Sequence, residues 1–219
     1  MPSNLQLVAS NYSHLNQLVQ CHCNCFPNSL STKLGKAYVA KTIEWFLADK
    51  QRFLFHVEDD EMIAGYCGGF IPKGIGDGSS SGMLQYGFKE AVMGVMVKPW
   101  LIFNNEVKAV YPFIFRNIKR KIFRDNSATI IAPEKPAEYS ISAGLVVICV
   151  EPLYRGTAVF KILMQRFDSI VKNFNIGKAS LSVKIENTRA VNAYKKVGWK
   201  IRDSQGSTHV MEKNMNIGS

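Results

Sequence analysis

A basic turn follows an apolar run near the middle of the C-terminal half of the sequence. The run Leu145–Val150 leads into the turn Glu151–Gly156, and an amphipathic segment begins directly after it. A strand that runs through a turn into a helix presents free backbone N–H groups and the positive end of the helix dipole, which together attract anions. Arg155 adds a guanidinium with a fork of donors. A pyrophosphate suits such a site, although many strand–turn–helix junctions only pack.

A second group of residues lies about thirty positions further along. Asn187 is a good N-cap, Ala190 and Tyr194 stand one helical turn apart, and Gly198 can adopt the left-handed conformation that ends a helix. Taken alone, this pattern describes a capped surface helix with a half-buried tyrosine. The two groups occur in the order strand, anion-binding turn, helix, strand and second helix. This order favours a shared function over simple packing.

Together the two segments resemble the GNAT superfamily of CoA-dependent N-acetyltransferases. The family's cofactor motif, Val-x-Pro-x-x-Arg-Gly-x-Gly-x-Gly/Ala, is matched at Val150, Pro152, Arg155 and Gly156. Its downstream motif, Asn-x-x-Ala-x-x-x-Tyr-x-x-x-Gly-Phe, is matched at Asn187, Ala190, Tyr194 and Gly198, with Trp199 in place of phenylalanine. The resemblance is specific over about 145–200 and rests on element order upstream.

Two positions depart from the family's cofactor motif. Ala158 and Phe160 stand where the family usually has glycine and then glycine or alanine. The backbone amides remain available to a phosphate if the Phe160 side chain points towards the sheet. A ring that pointed at the ligand would instead weaken CoA binding.

The resemblance implies a binding site for acetyl-CoA or another acyl-CoA. In this family the fourth and fifth strands splay apart, and the pantetheine arm lies between them, so backbone groups near Ile148 and Val150 would bond it as an added strand. Asn187 would orient the thioester, and Tyr194 would act as the general acid for the departing thiolate. The pyrophosphate would be held by the turn and the first turn of the helix, at Arg155, Gly156, Thr157, Ala158, Val159 and Phe160.

The base that takes the proton of the acceptor amine is left open. Glu138 stands near the start of the strand that leads to the cofactor motif and is one candidate, and water relayed through Ser140 or Ser142 is another. A salt-bridged surface carboxylate is the competing interpretation of Glu138. No obvious nucleophile–histidine pair is present, which is consistent with direct attack by the amine.

The remaining segments predict the elements that position these residues. They form a mixed α/β, GNAT-like fold of one domain over 1–219, with a central twisted sheet flanked by helices. A helical insertion over about 83–131 separates the third and fourth strands. Helices are expected over 14–25, from a cap at Ser31 or Thr32 to Leu47, from the basic turn to about Asn173, and from Asn187 to Gly198; strands are expected over 52–57, 62–70, 139–150 and 178–185 and within 199–211.

The insertion carries the features that indicate the acceptor. Its segment 113–124 is a basic amphipathic helix in which Arg116, Arg120 and Arg124 recur every four residues. We expect a small-molecule amine acceptor that bears phosphate, specifically a nucleotide-linked amino sugar of the kind used for surface polysaccharides. Ser29 lies in a segment that resembles one from such transferases, and Trp100, Tyr111 or Phe115 could stack on the base. Core packing and a solvated basic face are the alternative interpretation.

Composition narrows the function without fixing it. The net charge of +10 favours anionic partners, among which nucleic acid, a membrane surface and a phosphate-rich small molecule all qualify. We expect a cytoplasmic protein, monomeric or homodimeric, with weak membrane-surface contact through the basic helix and no nucleic acid. Acetylation of another small amine or a peptide is the alternative function, and a non-catalytic CoA-, membrane- or nucleic-acid-binding protein is the second alternative.

Cysteine spacing argues against a metal site at the level of sequence. Three of the five cysteines cluster with a histidine in Cys21-His22-Cys23-Asn24-Cys25. No second cluster with metal-ligand spacing exists, because Cys67 and Cys149 are isolated in apolar surroundings. The segment also suits the end of a helix in which Cys21 and Cys25 share a face and Cys23 points away. No metal is therefore expected.

Overall fold

The protein is built around one seven-stranded mixed sheet. The structure, a computed structural model, describes residues 4–72, 79–104, 108 and 141–216. The strands follow the order β1-β2-β3-β4-β5-β7-β6 across the sheet. They are β1 (Leu5–Ala9), β2 (Arg52–Asp59), β3 (Met62–Phe70), β4 (Ala143–Val150), β5 (Lys178–Lys184), β6 (Lys200–Gln205) and β7 (Thr208–Asn214).

Helices cover both faces of the sheet. They are α1 (Leu15–Cys25), α2 (Leu30–Leu34), α3 (Lys36–Leu47), α4 (Ser79–Tyr86), α5 (Phe88–Val97), α6 (Val159–Asn173) and α7 (Thr188–Lys196). Helix α6 packs its apolar stripe, including the fully buried Leu163 and Phe167, on one face of the sheet. Helices α1 and α3 cover the other face, where Leu18 and Ile43 meet Tyr66 of β3. Burial of one such side chain stabilises the fold by about 1.5–3 kcal/mol.

The predicted mixed α/β fold is confirmed. All neighbouring strands are antiparallel except β4 and β5, which are parallel because α6 crosses over the sheet between them. A bulge interrupts the β3–β4 ladder, where Gly68 pairs with Val147 and Gly69 already pairs with Leu145. The bulge leaves one residue of β4 without a partner and bends the strand just where it separates from β5.

Two local features differ from the sequence prediction. The sequence prediction does not contain strand β1. Its five residues are half-exposed at a sheet edge, and they form a strand only because they pair with β2. The predicted helix from Ser31 or Thr32 to Leu47 is wrong in its first turns. Ser29 is the cap instead, accepting a hydrogen bond from the Thr32 amide at 3.3 Å, and Gly35 at φ +116° separates α2 from α3.

Helices α4 and α5 lie between β3 and β4, as the predicted insertion requires. A 3₁₀ helix over Pro99–Phe103 follows them, and the rest of 83–131 lies outside the described residues apart from 104 and 108. Among the residues that the structure describes, no helix combines the length and the apolar character that a membrane crossing requires. That the whole chain is one domain stays a prediction.

Candidate functional site

Strands β4 and β5 form a V-shaped gap. They pair only at their first residues, where Ala143 lies opposite Ala179 and Gly144 opposite Ser180. Among the described strands, β4 pairs only with β3 from Leu145 onward, while β5 pairs along its length with β7. The opening therefore widens towards the carboxyl ends of both strands, where the basic turn begins.

Backbone polar groups of β4 face this gap. The amide of Glu151 donates to the Ala64 carbonyl of β3 at 2.9 Å, so residue 151 directs its backbone groups towards β3. Because these directions alternate along an antiparallel pair, Ile148 and Val150 direct theirs away from β3 and into the gap. The Val150 carbonyl there accepts a hydrogen bond from Nε of Arg155 at 3.3 Å. An extended ligand in the gap would find unpaired strand groups on this side.

The basic turn is a short 3₁₀ helix over Pro152–Tyr154, followed by Arg155 and Gly156. Gly156 has φ +88°, a left-handed conformation that glycine adopts without steric cost. Arg155 and Gly156 are both exposed. The turn therefore reverses the chain at the mouth of the gap and leaves one guanidinium there in solvent.

Helix α6 begins at the end of this turn with its amides exposed. The hydroxyl of Thr157 donates to the Tyr154 carbonyl at 2.6 Å and accepts from the Val159 amide at 3.4 Å. Ala158 is the N-cap and contributes no side-chain bond. The next amides, including that of Phe160, have no intrahelical acceptor, since the first four N–H groups of a helix never do. This end of α6 is suited to bind phosphate oxygens.

The ring of Phe160 points towards the core. It is half-buried against the apolar cluster under α6, and its centroid lies 6.1 Å from that of Tyr194. Tyr194 in turn lies 6.1 Å from the buried Trp199. The side chain of Phe160 therefore packs between α6 and α7, and the helix amides stay accessible despite the loss of both usual glycines.

Tyr194 is held by ring packing alone in the part of the chain that the structure describes, where its hydroxyl makes no hydrogen bond. Burial raises the pKa of Tyr194 above its ordinary value, and neighbouring Cys67 and Cys149 raise it further. The phenol therefore keeps its proton throughout the physiological pH range. A protonated hydroxyl without a protein partner is available to a ligand.

Asn187 begins α7. Its side-chain oxygen accepts a hydrogen bond from the Ala190 amide at 3.2 Å, which is the N-cap interaction that the sequence predicts. The side chain is exposed, and its NH₂ group donates to no group among the described residues. A role in orienting a thioester stays a prediction.

Only some of the predicted acceptor and base residues lie in the part of the chain that the structure describes. The Ser29 hydroxyl donates to the Phe26 carbonyl and caps α2, so it stabilises the corner between α1 and α2. Trp100 is 64% exposed. Ser142 lies at the closed end of the gap, with its Oγ 3.3 Å from that of Ser180. Outside the described residues lie Tyr111, Phe115, Arg116, Arg120, Arg124, Glu138 and Ser140.

The structure also assembles a polar group that the sequence prediction does not place at the site. His22 of α1 bonds the buried Tyr66 hydroxyl through Nδ1 at 2.6 Å and the Ser31 hydroxyl through Nε2 at 2.9 Å. Burial lowers the pKa of His22 to about 4, so the imidazole is neutral near pH 7. The sequence contained a signal, the unusual run 21–25, but not its partners on β3 and α2.

Beside it, three thiols meet. Cys21 and Cys25 of α1 lie against Cys149 of β4, with Cys21 Sγ 3.8 Å from Cys149 Sγ. Hydrogen bonds with Cys149 and Cys21, together with the charge of Arg155, hold the pKa of Cys25 well below its ordinary range. The expectation that Cys149 is isolated is wrong, because the fold brings α1 onto this strand.

Comparisons with known proteins support the fold. No family model matches the sequence, and no curated protein matches it. Among solved structures, the PaiA N-acetyltransferase of Thermoplasma acidophilum, in complex with coenzyme A, has a TM-score of 0.56 at 14% identity, covering 96% of this chain and 99% of that one. A GNAT-family acetyltransferase of Staphylococcus aureus Mu50 has a TM-score of 0.57 at 12% identity, covering 97% and 99%.

A third neighbour acts on a protein. The ribosomal-protein-S18-alanine N-acetyltransferase of Escherichia coli has a TM-score of 0.53 at 10% identity, covering 98% of this chain and 96% of that one. The chain therefore has the fold of the GNAT acetyltransferases over almost its whole length. Identities this low establish the fold, and the activity must be argued from the residues.

Proposed function

We propose that this protein transfers an acyl group from an acyl-CoA, acetyl-CoA or a somewhat larger one, directly to a primary amine. The gap between β4 and β5 carries the proposal, because it opens onto an exposed anion-binding turn. A ligand with an extended, amide-containing arm and a pyrophosphate would place its arm in the gap and its pyrophosphate at the turn. Arg155, from the first sequence motif, lies at the mouth of this opening, where it bonds the Val150 carbonyl.

The described residues fit such a ligand. Backbone groups of Ile148 and Val150 would pair with the pantetheine amides as an added strand. The amides of Gly156 to Phe160 and the guanidinium of Arg155 would hold the pyrophosphate, using helix dipole, N–H groups and fixed charge together. Arg155 would exchange its bond to the Val150 carbonyl for phosphate oxygens.

Tyr194 would serve as the acid. The free amine attacks the thioester carbonyl, a C–N bond forms, and the C–S bond breaks with its electron pair left on sulfur. The Tyr194 hydroxyl, which makes no hydrogen bond to any described residue, would donate its proton to that sulfur. Its raised pKa ensures that the proton is present, and water-poor surroundings raise the basicity of the leaving thiolate.

The amine's proton leaves by a separate route. Glu138 is our candidate base, with water relayed by Ser142 at the closed end of the gap as the alternative. Replacing Glu138 or Ser142 by alanine distinguishes the two candidates. Loss of the true base should lower kcat at neutral pH and move the acid limb of the pH–rate profile.

Protection against thermal unfolding tests the cofactor part of the proposal. Acetyl-CoA at about one hundred times its Kd should raise Tm by about 5–10 °C, because it binds the folded state alone. Arg155→Ala should weaken binding by about 10- to 100-fold through loss of charged hydrogen bonds. Lys172→Ala, which removes an exposed cation from the last turn of the same helix, is the matched control. No protection of the wild type would refute acyl-CoA binding.

We further propose that the acceptor is a nucleotide-linked amino sugar used for surface polysaccharides. Support comes from the basic segment with Arg116, Arg120 and Arg124 and from the exposed ring of Trp100. Thymidine- and uridine-diphospho amino sugars should be acylated in a screen that also contains polyamines, aminoglycosides and peptides. Turnover of another amine with none of a sugar nucleotide would overturn this specificity and leave the transferase proposal standing.

A further inference from the structure

Three cysteine thiols from two elements converge beside the gap. Cys21 and Cys25 are four residues apart on α1 and therefore share a face, and Cys149 of β4 lies opposite them. Their sulfur atoms all lie within 4.8 Å of one another. We propose that these three cysteines form a binding site for a thiophilic divalent cation, with Zn²⁺ as the physiological ligand class.

The distances between sulfurs support this assignment. A tetrahedral Zn²⁺ with Zn–S bonds of about 2.3 Å separates its sulfur ligands by about 3.8 Å. The Sγ atoms of Cys21 and Cys149 are already 3.8 Å apart. The third thiol needs to move by about 1 Å at most, which a change of side-chain torsion supplies. The separations of the sulfur atoms are therefore close to those of a bound site.

The surroundings favour a cation with this ligand set. Helix α1 ends at Cys25, so its last carbonyls place the negative end of the helix dipole at the cluster. The charge of Arg155 favours the Cys25 thiolate, and it would offset part of the negative charge that three thiolates and the Glu151 carboxylate leave around one divalent ion. Cys25 is 9% exposed, so the cluster has a narrow path from solvent.

Two other cysteines lie outside the cluster and provide controls. Cys23 is on a different face of α1 and is partly exposed, and Cys67 is fully buried on β3. If the three thiols were only small apolar core residues, the wild type would bind no metal at one equivalent. If Cys21 and Cys149 were a redox pair, the protein would form one disulfide without metal.

The test is a titration of the reduced, metal-free full chain with Cd²⁺ alone, followed by competition with Zn²⁺. Thiolate-to-metal charge-transfer absorption should saturate at about one equivalent, and a large excess of Zn²⁺ should displace the Cd²⁺ and abolish the band. Cys25→Ser and Cys149→Ser should lower the apparent affinity by more than about 100-fold, while Cys23→Ser and Cys67→Ser should leave it unchanged. Circular dichroism identifies any variant that fails to fold, and the wild-type titration does not depend on the variants.

Three results would overturn the proposal. Absence of the band from the wild type at one equivalent would show that the cluster does not bind. An equal loss of Cd²⁺ affinity in Cys23→Ser and Cys25→Ser would show that the metal binds elsewhere. A metal-free chain that loses two hydrogens in intact mass and two of its titratable thiols under air would assign the cluster to disulfide formation instead.

Discussion

Replacing Tyr194 with phenylalanine removes one hydroxyl group and keeps the aromatic ring. The ring contacts to Phe160 and Trp199, each with centroids 6.1 Å apart, remain in the variant. Among described residues no hydrogen bond of the hydroxyl is lost, so the free energy of unfolding should change by about 0.5 kcal/mol at most. Any loss of activity can then be assigned to chemistry.

The expected loss is large. Transfer of a proton by a positioned side chain accelerates a reaction by about 100- to 10,000-fold, which corresponds to about 3–5 kcal/mol of transition-state stabilisation. Tyr194→Phe should therefore lower kcat by about 100-fold or more, with little change in the KM for acyl-CoA. Because burial holds the Tyr194 pKa above its ordinary value, this residue should cause no alkaline loss of wild-type activity below about pH 10.

The assay follows thiol release with an acceptor identified by screening, alongside urea unfolding of each variant. Tyr154→Phe is the contrasting control, because its hydroxyl donates to Asp59 Oδ2 at 3.0 Å. It should lose about 1–2 kcal/mol of stability and keep its kcat. Unchanged turnover in Tyr194→Phe would remove this tyrosine from the mechanism, and a loss of stability equal to that of Tyr154→Phe would refute the packing argument.

Two further predictions concern stability. Burial lowers the pKa of His22 from 6.5 to about 4, so the unfolded chain binds the proton first. Stability should therefore fall as the pH drops from about 6.5 to 4, by about 3 kcal/mol at most, and urea unfolding across this range should show a shallower pH dependence in His22→Gln. Gly156→Ala forces φ +88° on a residue with a Cβ but meets no neighbouring atom, so it should cost about 1–2 kcal/mol in urea unfolding, and a neutral result would refute the strain.

Local chemistry explains why the sequence prediction succeeds around the two motifs. The cap at Asn187, the periodicity of α6 and the turn at Gly156 depend on residues at most a few positions apart. Such interactions act within one helical turn or one loop, so the residue types alone reveal them. The predicted helix to about Asn173 and the helix after Asn187 are accordingly found where they are expected.

Long-range packing explains the features that the prediction lacks. Strand β1 exists because β2 offers it a partner about fifty residues away, and α2 is separate from α3 because the chain turns at Gly35 and α2 packs against α5. The insertion poses a similar difficulty, since its helical period does not reveal what its helices pack against. Pairing and packing partners of this kind leave no trace in a short window of sequence.

The segment from Leu145 to Lys200 contains both features that the sequence predicts and features that only the tertiary structure reveals. By itself the sequence determined a turn with one arginine before a helix and a capped helix that carries Tyr194. Only the tertiary structure decided that β4 and β5 stop pairing at Gly144, that Phe160 turns into the core, and that Cys149 meets Cys21 and Cys25. Those facts depend on how α1, α6 and α7 pack on a common sheet, because contacts between residues far apart in the chain form only when the whole core closes.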